Sequence, residues 1–145
     1  MKKILLNILL LLTLSSCDRY YWEFELGVGE FDEDILQYIE SETGLNLPEK
    51  IVGLNYRYKP PIDPAFIAKF EIPSDEINHI IDQVSDLKDE DYSSSGGLTT
   101  KVNWWFNSDS NILHQKKTIL PTSVLEVTIT KERTKTILYI DYAIF

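Results

Sequence analysis

The 145-residue sequence has one cysteine, one methionine and two histidines, and sets only 14 basic residues against 23 acidic ones. A lone cysteine, Cys17, excludes any disulfide within the chain. Two separated histidines and one thiol do not supply the three or four ligands at set spacing that a zinc site needs. A formal charge of −9 argues against nucleic acid, which is bound by clustered Lys and Arg that neutralise phosphates. Long apolar runs are lacking too. Residues 4–14 are apolar apart from Asn7 and Thr13, but a helix that spans a bilayer takes about 20 residues. No glycine-rich loop leads into a basic helix start, so a phosphate cradle has no support, and Gly96-Gly97 is loop material. Ser93, Ser94 and Ser95 lack the context of a nucleophile elbow.

What is present starts at the N-terminus. Met1-Lys2-Lys3 is followed by the short apolar run and then by Ser15-Ser16-Cys17. A basic start, an apolar stretch too short to span, and small residues before a cut site are the parts of a secretory signal. Leu14-Ser15-Ser16-Cys17 resembles the lipobox of bacterial lipoproteins, in which a leucine and two small residues precede an invariant cysteine. The resemblance covers residues 1–17. It implies that Cys17 carries a diacylglyceryl group, that a peptidase cuts between Ser16 and Cys17, and that the new amino group is often acylated. Asp18 resembles the residue that retains such proteins in the inner membrane of enteric-type bacteria, although other phyla sort differently. Inner and outer membrane therefore both stay open, with the body on the periplasmic or extracellular side. The only thiol is accounted for in this way, and an exported chain is left with no odd cysteine to explain.

Cutting after Ser16 leaves 129 residues, enough for one domain with one core. Losing Lys2 and Lys3 takes the formal charge from −9 to −11. Such a body is held to the membrane by lipid and not by attraction to anionic headgroups. Residues 17–30 read as the lipidated cysteine and a tether, with Tyr20, Tyr21, Trp22 and Phe24 either docked on the body or placed at the membrane interface. Residues 31–145 read as the single domain.

Within that domain, Phe31, Ile35, Tyr38 and Ile39 fall at helical spacing over residues 31–43. Asp32, Glu33 and Asp34 suit the start of that helix, and Gly44 its C-terminal cap. Residues 51–59 and 65–72 alternate as half-buried strands around a proline-rich loop. Ser74 is the expected N-cap of a second helix, whose stripe is Ile77, Ile80, Ile81, Val84 and Leu87. A Ser/Gly loop at 89–100 precedes an expected short strand at 102–106. Two further strands follow at 124–130 and 136–145, the last apolar on both faces and hence central. The expected architecture is α+β, an antiparallel sheet of about four to five strands with two helices packed on one face.

Chemistry is sparse. His79 lies on the polar side of the second helix, a turn from Asp75 and near Asp82, where a solvated face is the simpler reading. His114 has no ligating neighbour. The acidic runs 30–34 and 86–91 lack the alternating oxygens and glycine turn of a calcium loop. No catalytic residue, cofactor or metal is expected. Trp104 and Trp105 are the candidate partner-binding residues, since exposed tryptophan beside a loop is a common binding anchor; the alternative is that they fill the core.

The expected function is thus a membrane-anchored lipoprotein that acts as a non-enzymatic binding module. Its partners are the membrane, through lipid on Cys17, and another envelope protein, with no nucleic acid. A toxin-neutralising lipoprotein of the immunity or inhibitor kind is one alternative, by fold-level analogy. Others are a hydrolase built from scattered carboxylates and a histidine, and a carrier of small apolar ligands.

Overall fold

A computed structural model describes residues 22–59, 64–90, 98–99, 102–107 and 109–145. Cys17, Ser16, the aromatic pair Tyr20-Tyr21, residues 60–63 of the proline-rich loop and residues 91–97 of the Ser/Gly loop lie outside these. The described elements are β1 (Phe24–Leu26), α1 (Glu33–Thr43), β2 (Val52–Lys59), β3 (Ala65–Ile72), α2 (Ile77–Asp86), β4 (Asn111–Ile119), β5 (Ser123–Glu132) and β6 (Lys135–Ile144). They build one antiparallel sheet of six strands in the order β1-β2-β3-β6-β5-β4, so the fold is α+β with more strands than expected.

Each helix forms for a readable reason. The Asp32 carboxylate accepts the Ile35 N–H at 3.0 Å, and Glu33 and Asp34 sit in the first turn of α1, where the helix dipole favours negative charge. Gly44 ends the helix with φ 71°, a left-handed conformation that glycine takes without steric cost, and its N–H donates to the Glu40 carbonyl at 2.8 Å. Helix α2 starts later than expected. Residues 74–76 first make a turn, closed by the Glu76 N–H on the Pro73 carbonyl at 3.0 Å, so Glu76 and not Ser74 precedes the helix. Gln83 clamps the returning chain to α2: its amide accepts the Asn46 N–H at 2.7 Å and donates to the Asn46 carbonyl at 3.0 Å.

Both helices cover the same face of the sheet. Ile35 and Ile39 of α1 and Ile80 and Val84 of α2 are fully buried against Tyr56, Phe66, Phe70, Val127, Leu138 and Ile140. Phe66 is the centre of an aromatic cluster, stacked on Tyr142 at 5.0 Å and tilted against Tyr56 and Tyr38 at 5.7 and 5.8 Å. Strand β6 lies between β3 and β5, as its two apolar faces led one to expect.

Four features depart from expectation. Residues 24–26, read as tether, pair with residues 56–58 and form the short edge strand β1. Residues 102–107 form bends and no strand. The polar stretch after them makes the nine-residue edge strand β4. Between Gly53 and Asn55 the register shifts, so Leu54 falls in a bulge and Val52 is exposed instead of sharing a buried face with Tyr56 and Tyr58.

The acidic run at the end of α2 binds the sheet edge. The Glu90 N–H donates to the Lys117 carbonyl at 2.7 Å, the Glu90 carboxylate accepts the Ile119 N–H at 2.9 Å, and the Lys117 N–H points to Asp89 at 3.4 Å. This strap satisfies backbone groups of Lys117 and Ile119 at the C-terminal end of the β4 edge, which would otherwise be open to strand pairing. An ion pair to Lys88 and the Ile119 N–H hold the Glu90 carboxyl below its usual pKa.

Candidate functional site on the second face of the sheet

The face turned away from the helices carries the polar side chains of the central strands, and a segment of bends lies across part of it. Leu98 is buried there with Ala65 and Ile67, and Val102, Trp104, Trp105 and Ala143 pack around them. Trp105 and Phe106 both meet the Tyr139 ring edge-on at 5.0 Å. The Trp104 indole N–H donates to the Glu25 carboxylate at 2.8 Å, and its ring tilts against Trp105 at 5.8 Å. Both tryptophans are half-buried.

Beneath the tryptophans runs a polar chain. Lys69 donates to the Trp104 carbonyl at 3.5 Å and to Glu132 at 3.2 Å, with its ammonium 5.0 Å from the centre of the Tyr139 ring. The Tyr139 hydroxyl donates to Glu132. Burial first, then that hydrogen bond and the carboxylate charge, push the Tyr139 pKa far up, so the phenol stays protonated at any physiological pH.

One row crosses the whole sheet. Register places Glu25, Arg57, Ile67, Asp141, Glu126 and Lys117 side by side on six successive strands. Arg57 pairs with Glu23 at 2.6 Å and stands 3.9 Å from Glu25. Glu126 accepts from Gln115 at 2.6 Å and pairs with Lys117 at 3.3 Å. Asp141 faces Glu126 directly, a like-charge cross-strand pair of the kind that destabilises a sheet. Burial first and the Glu126 charge second raise the Asp141 pKa to about 6, against a smaller lowering by Lys117. Next to this pair, the Thr128 hydroxyl is buried without a hydrogen-bond partner among the described residues. Chemically, Asp141 is a proton-binding group, half protonated at about pH 6. Sequence reading missed it. Its signal was a single aspartate inside the otherwise apolar run 136–145.

The other sequence candidates fall elsewhere. Cys17 and Ser16 lie outside the described residues. Asp75, His79 and Asp82 are exposed along α2, and Asp75 has a solvent-exposed pairing with Lys50 at 3.5 Å. His114 is half-buried on the edge strand opposite Ile129. Among the described residues no three His, Cys, Asp or Glu side chains come together to hold a metal ion. A groove of about 440 Å³ runs beside α1, lined by Leu36, Leu47 and Pro48 with Glu33, Glu40 and Glu49 at its rim. The Glu40 carboxylate there accepts the Leu47 N–H at 2.7 Å and so helps to hold the loop after α1. Compared with known proteins, the chain matches no family model, no curated protein sequence and no solved structure.

Proposed function

We propose that the chain is a bacterial lipoprotein, anchored by lipid on Cys17, whose acidic α+β body serves as a non-enzymatic binding module for another protein of the cell envelope. The observation that carries the reading is Leu14-Ser15-Ser16-Cys17 at the end of a basic-then-apolar segment, in a chain with no other cysteine. Several acyl chains on one residue make release from the bilayer negligibly slow, because each buried methylene adds about 0.8 kcal/mol. Among the described residues no helix is long and apolar enough to cross a membrane.

Cys17→Ala should abolish labelling by radioactive palmitate and leave the protein uncut or released into the soluble fraction. Labelling that persists in this variant would sink the lipoprotein reading. The binding reading has its own test. Crosslinking in intact membranes should capture an envelope protein on the wild type, and replacing Trp104 and Trp105 by Ala should cut that capture at least several-fold. A body that captures nothing in either form is not a binding module of this kind.

A further inference from the structure

Antiparallel pairing collects one terminus of every strand at each end of the sheet. The end at which β1 begins also holds the end of β2 at Lys59, the start of β3 at Ala65, the end of β6, the start of β5 at Ser123 and the end of β4 at Ile119. Among the described residues, three large apolar side chains stand exposed there: Trp22 at 73%, Phe145 at 70% and Ile119 at 47%. Strands lie about 4.8 Å apart, so Phe145 is about 14 Å and Ile119 about 24 Å along the sheet from β1. The apolar residues are therefore spread across the end of the sheet and not gathered at the tether. At the opposite end the exposed large apolar side chains are aliphatic: Val28, Val52, Ile112 and Leu113.

The tether decides what can cover this end. Trp22 is five residue steps from Cys17, and a fully extended chain gains at most about 3.6 Å per step, which gives about 18 Å. A Cys17 held at the bilayer surface keeps the Trp22 end of the sheet within that distance of it, whatever the tether's conformation. The polar layer of a bilayer leaflet is itself about 5–8 Å deep, and tryptophan is enriched there.

We propose that this end of the sheet is the membrane-facing end, with Trp22, Phe145 and Ile119 seated in the lipid interface of the bilayer that holds Cys17. The proposal rests on the lipoprotein reading. It stands the strands on the membrane, so that the sheet face away from the helices, the Trp104–Trp105 segment and the Val28 end stay open to partners. The contact is apolar and needs no anionic lipid, since the body is acidic.

The test uses protein purified from membranes of producing cells, weighed first to learn whether Cys17 carries lipid. If it does not, the lipoprotein reading fails, and a maleimide phospholipid coupled to the Cys17 thiol supplies the anchor so that the orientation is still measured. In vesicles of phosphatidylcholine brominated on the acyl chains near the headgroup, a chain with Trp22→Phe, Trp104→Phe, Trp105→Phe and Phe145→Trp carries one fluorophore at the proposed contact. A matching chain with Val28→Trp in place of Phe145→Trp carries it at the other end. Both are checked for an unchanged far-ultraviolet dichroism spectrum, and a chain that fails this check is replaced by one with Ile119→Trp or Val52→Trp at the same end. The bromolipid should quench the first fluorophore at least twofold, in low and high salt alike, and leave the second unquenched. Equal quenching at the two ends, or quenching at neither, overturns the proposal. So does an anchored chain whose fluorophore at the β1 end is shielded by a second copy and not by lipid.

Discussion

Gly53→Ala should destabilise the protein by about 2–3 kcal/mol, measured as a lower urea midpoint with an unchanged slope, because the site is already full. A Cβ at position 53 would stand 2.4 Å from two atoms of the Phe31 ring and 2.7 Å from a third. Such contacts do not exist in folded proteins, so the ring would have to move. It has little freedom to do so. Phe31 is held at 5.4 Å by Phe70 and edge-on at 6.2 Å by Tyr56, both of which are fully buried. The backbone is equally constrained, since Gly53 opens the bulge that resets the pairing of β2 with β3. The diagnostic is a double-mutant cycle. In a Phe31→Ala background the same Gly53→Ala change should cost well under 1 kcal/mol, a coupling of about 2 kcal/mol. If the cost is the same in both backgrounds, the lost stability comes from the bulge itself and the steric account is wrong.

That contact shows where sequence reading stops. The amphipathic helices were legible, because α1 and α2 each repeat apolar residues at a spacing only a helix can bury on one side. Strands β2, β3, β5 and β6 were legible through alternation, or through a run apolar on both faces. Strand β4 was not. Its His114-Gln115-Lys116-Lys117 core is polar because the strand lies at the edge, backed by β5 on one side only, and so carries no hydrophobic signature. Strand β1 has three residues and borrows its conformation from β2. The tryptophans were noticed for their type, but nothing local told that they would fold back over Tyr139. A glycine inside a strand pattern does hint at close approach of another group. That the group is Phe31, from before the first helix, comes only from the fold. Asp141 is the reverse case: a charge in a central strand is a visible anomaly, and its neighbours Glu126 and Lys117 follow once the register is known.

Asp141→Asn should make the protein more stable at pH 7, by at most about 3 kcal/mol, and should flatten its stability between about pH 4 and pH 6. Asp141 pairs across the strands with Glu126, yet the two carboxyls are not equally served. Glu126 has Gln115 at 2.6 Å and Lys117 at 3.3 Å to support its charge. Asp141 is desolvated by burial, and among the causes of its shift only the Lys117 charge favours the ionised form. Asp141 is therefore the group that takes up a proton, its pKa raised from 3.8 to about 6. Between these values the folded state binds more protons than the unfolded one, so stability falls as pH rises through this window. A tenfold difference in proton affinity between the folded and unfolded states corresponds to about 1.36 kcal/mol, and the rise in Asp141 therefore sets the limit of about 3 kcal/mol. Below about pH 3.8 both states are protonated and the contribution is level; above about pH 6 the loss is complete. An asparagine keeps the shape and removes the charge, so wild type and variant should converge in acid and diverge towards neutrality. Comparing urea unfolding of the two from about pH 3.5 to 8 isolates the contribution of position 141. A constant gap across that range, or a variant less stable at pH 7, would mean that Asp141 is charged at little cost and that the row from Glu25 to Lys117 is an ordinary set of surface ion pairs.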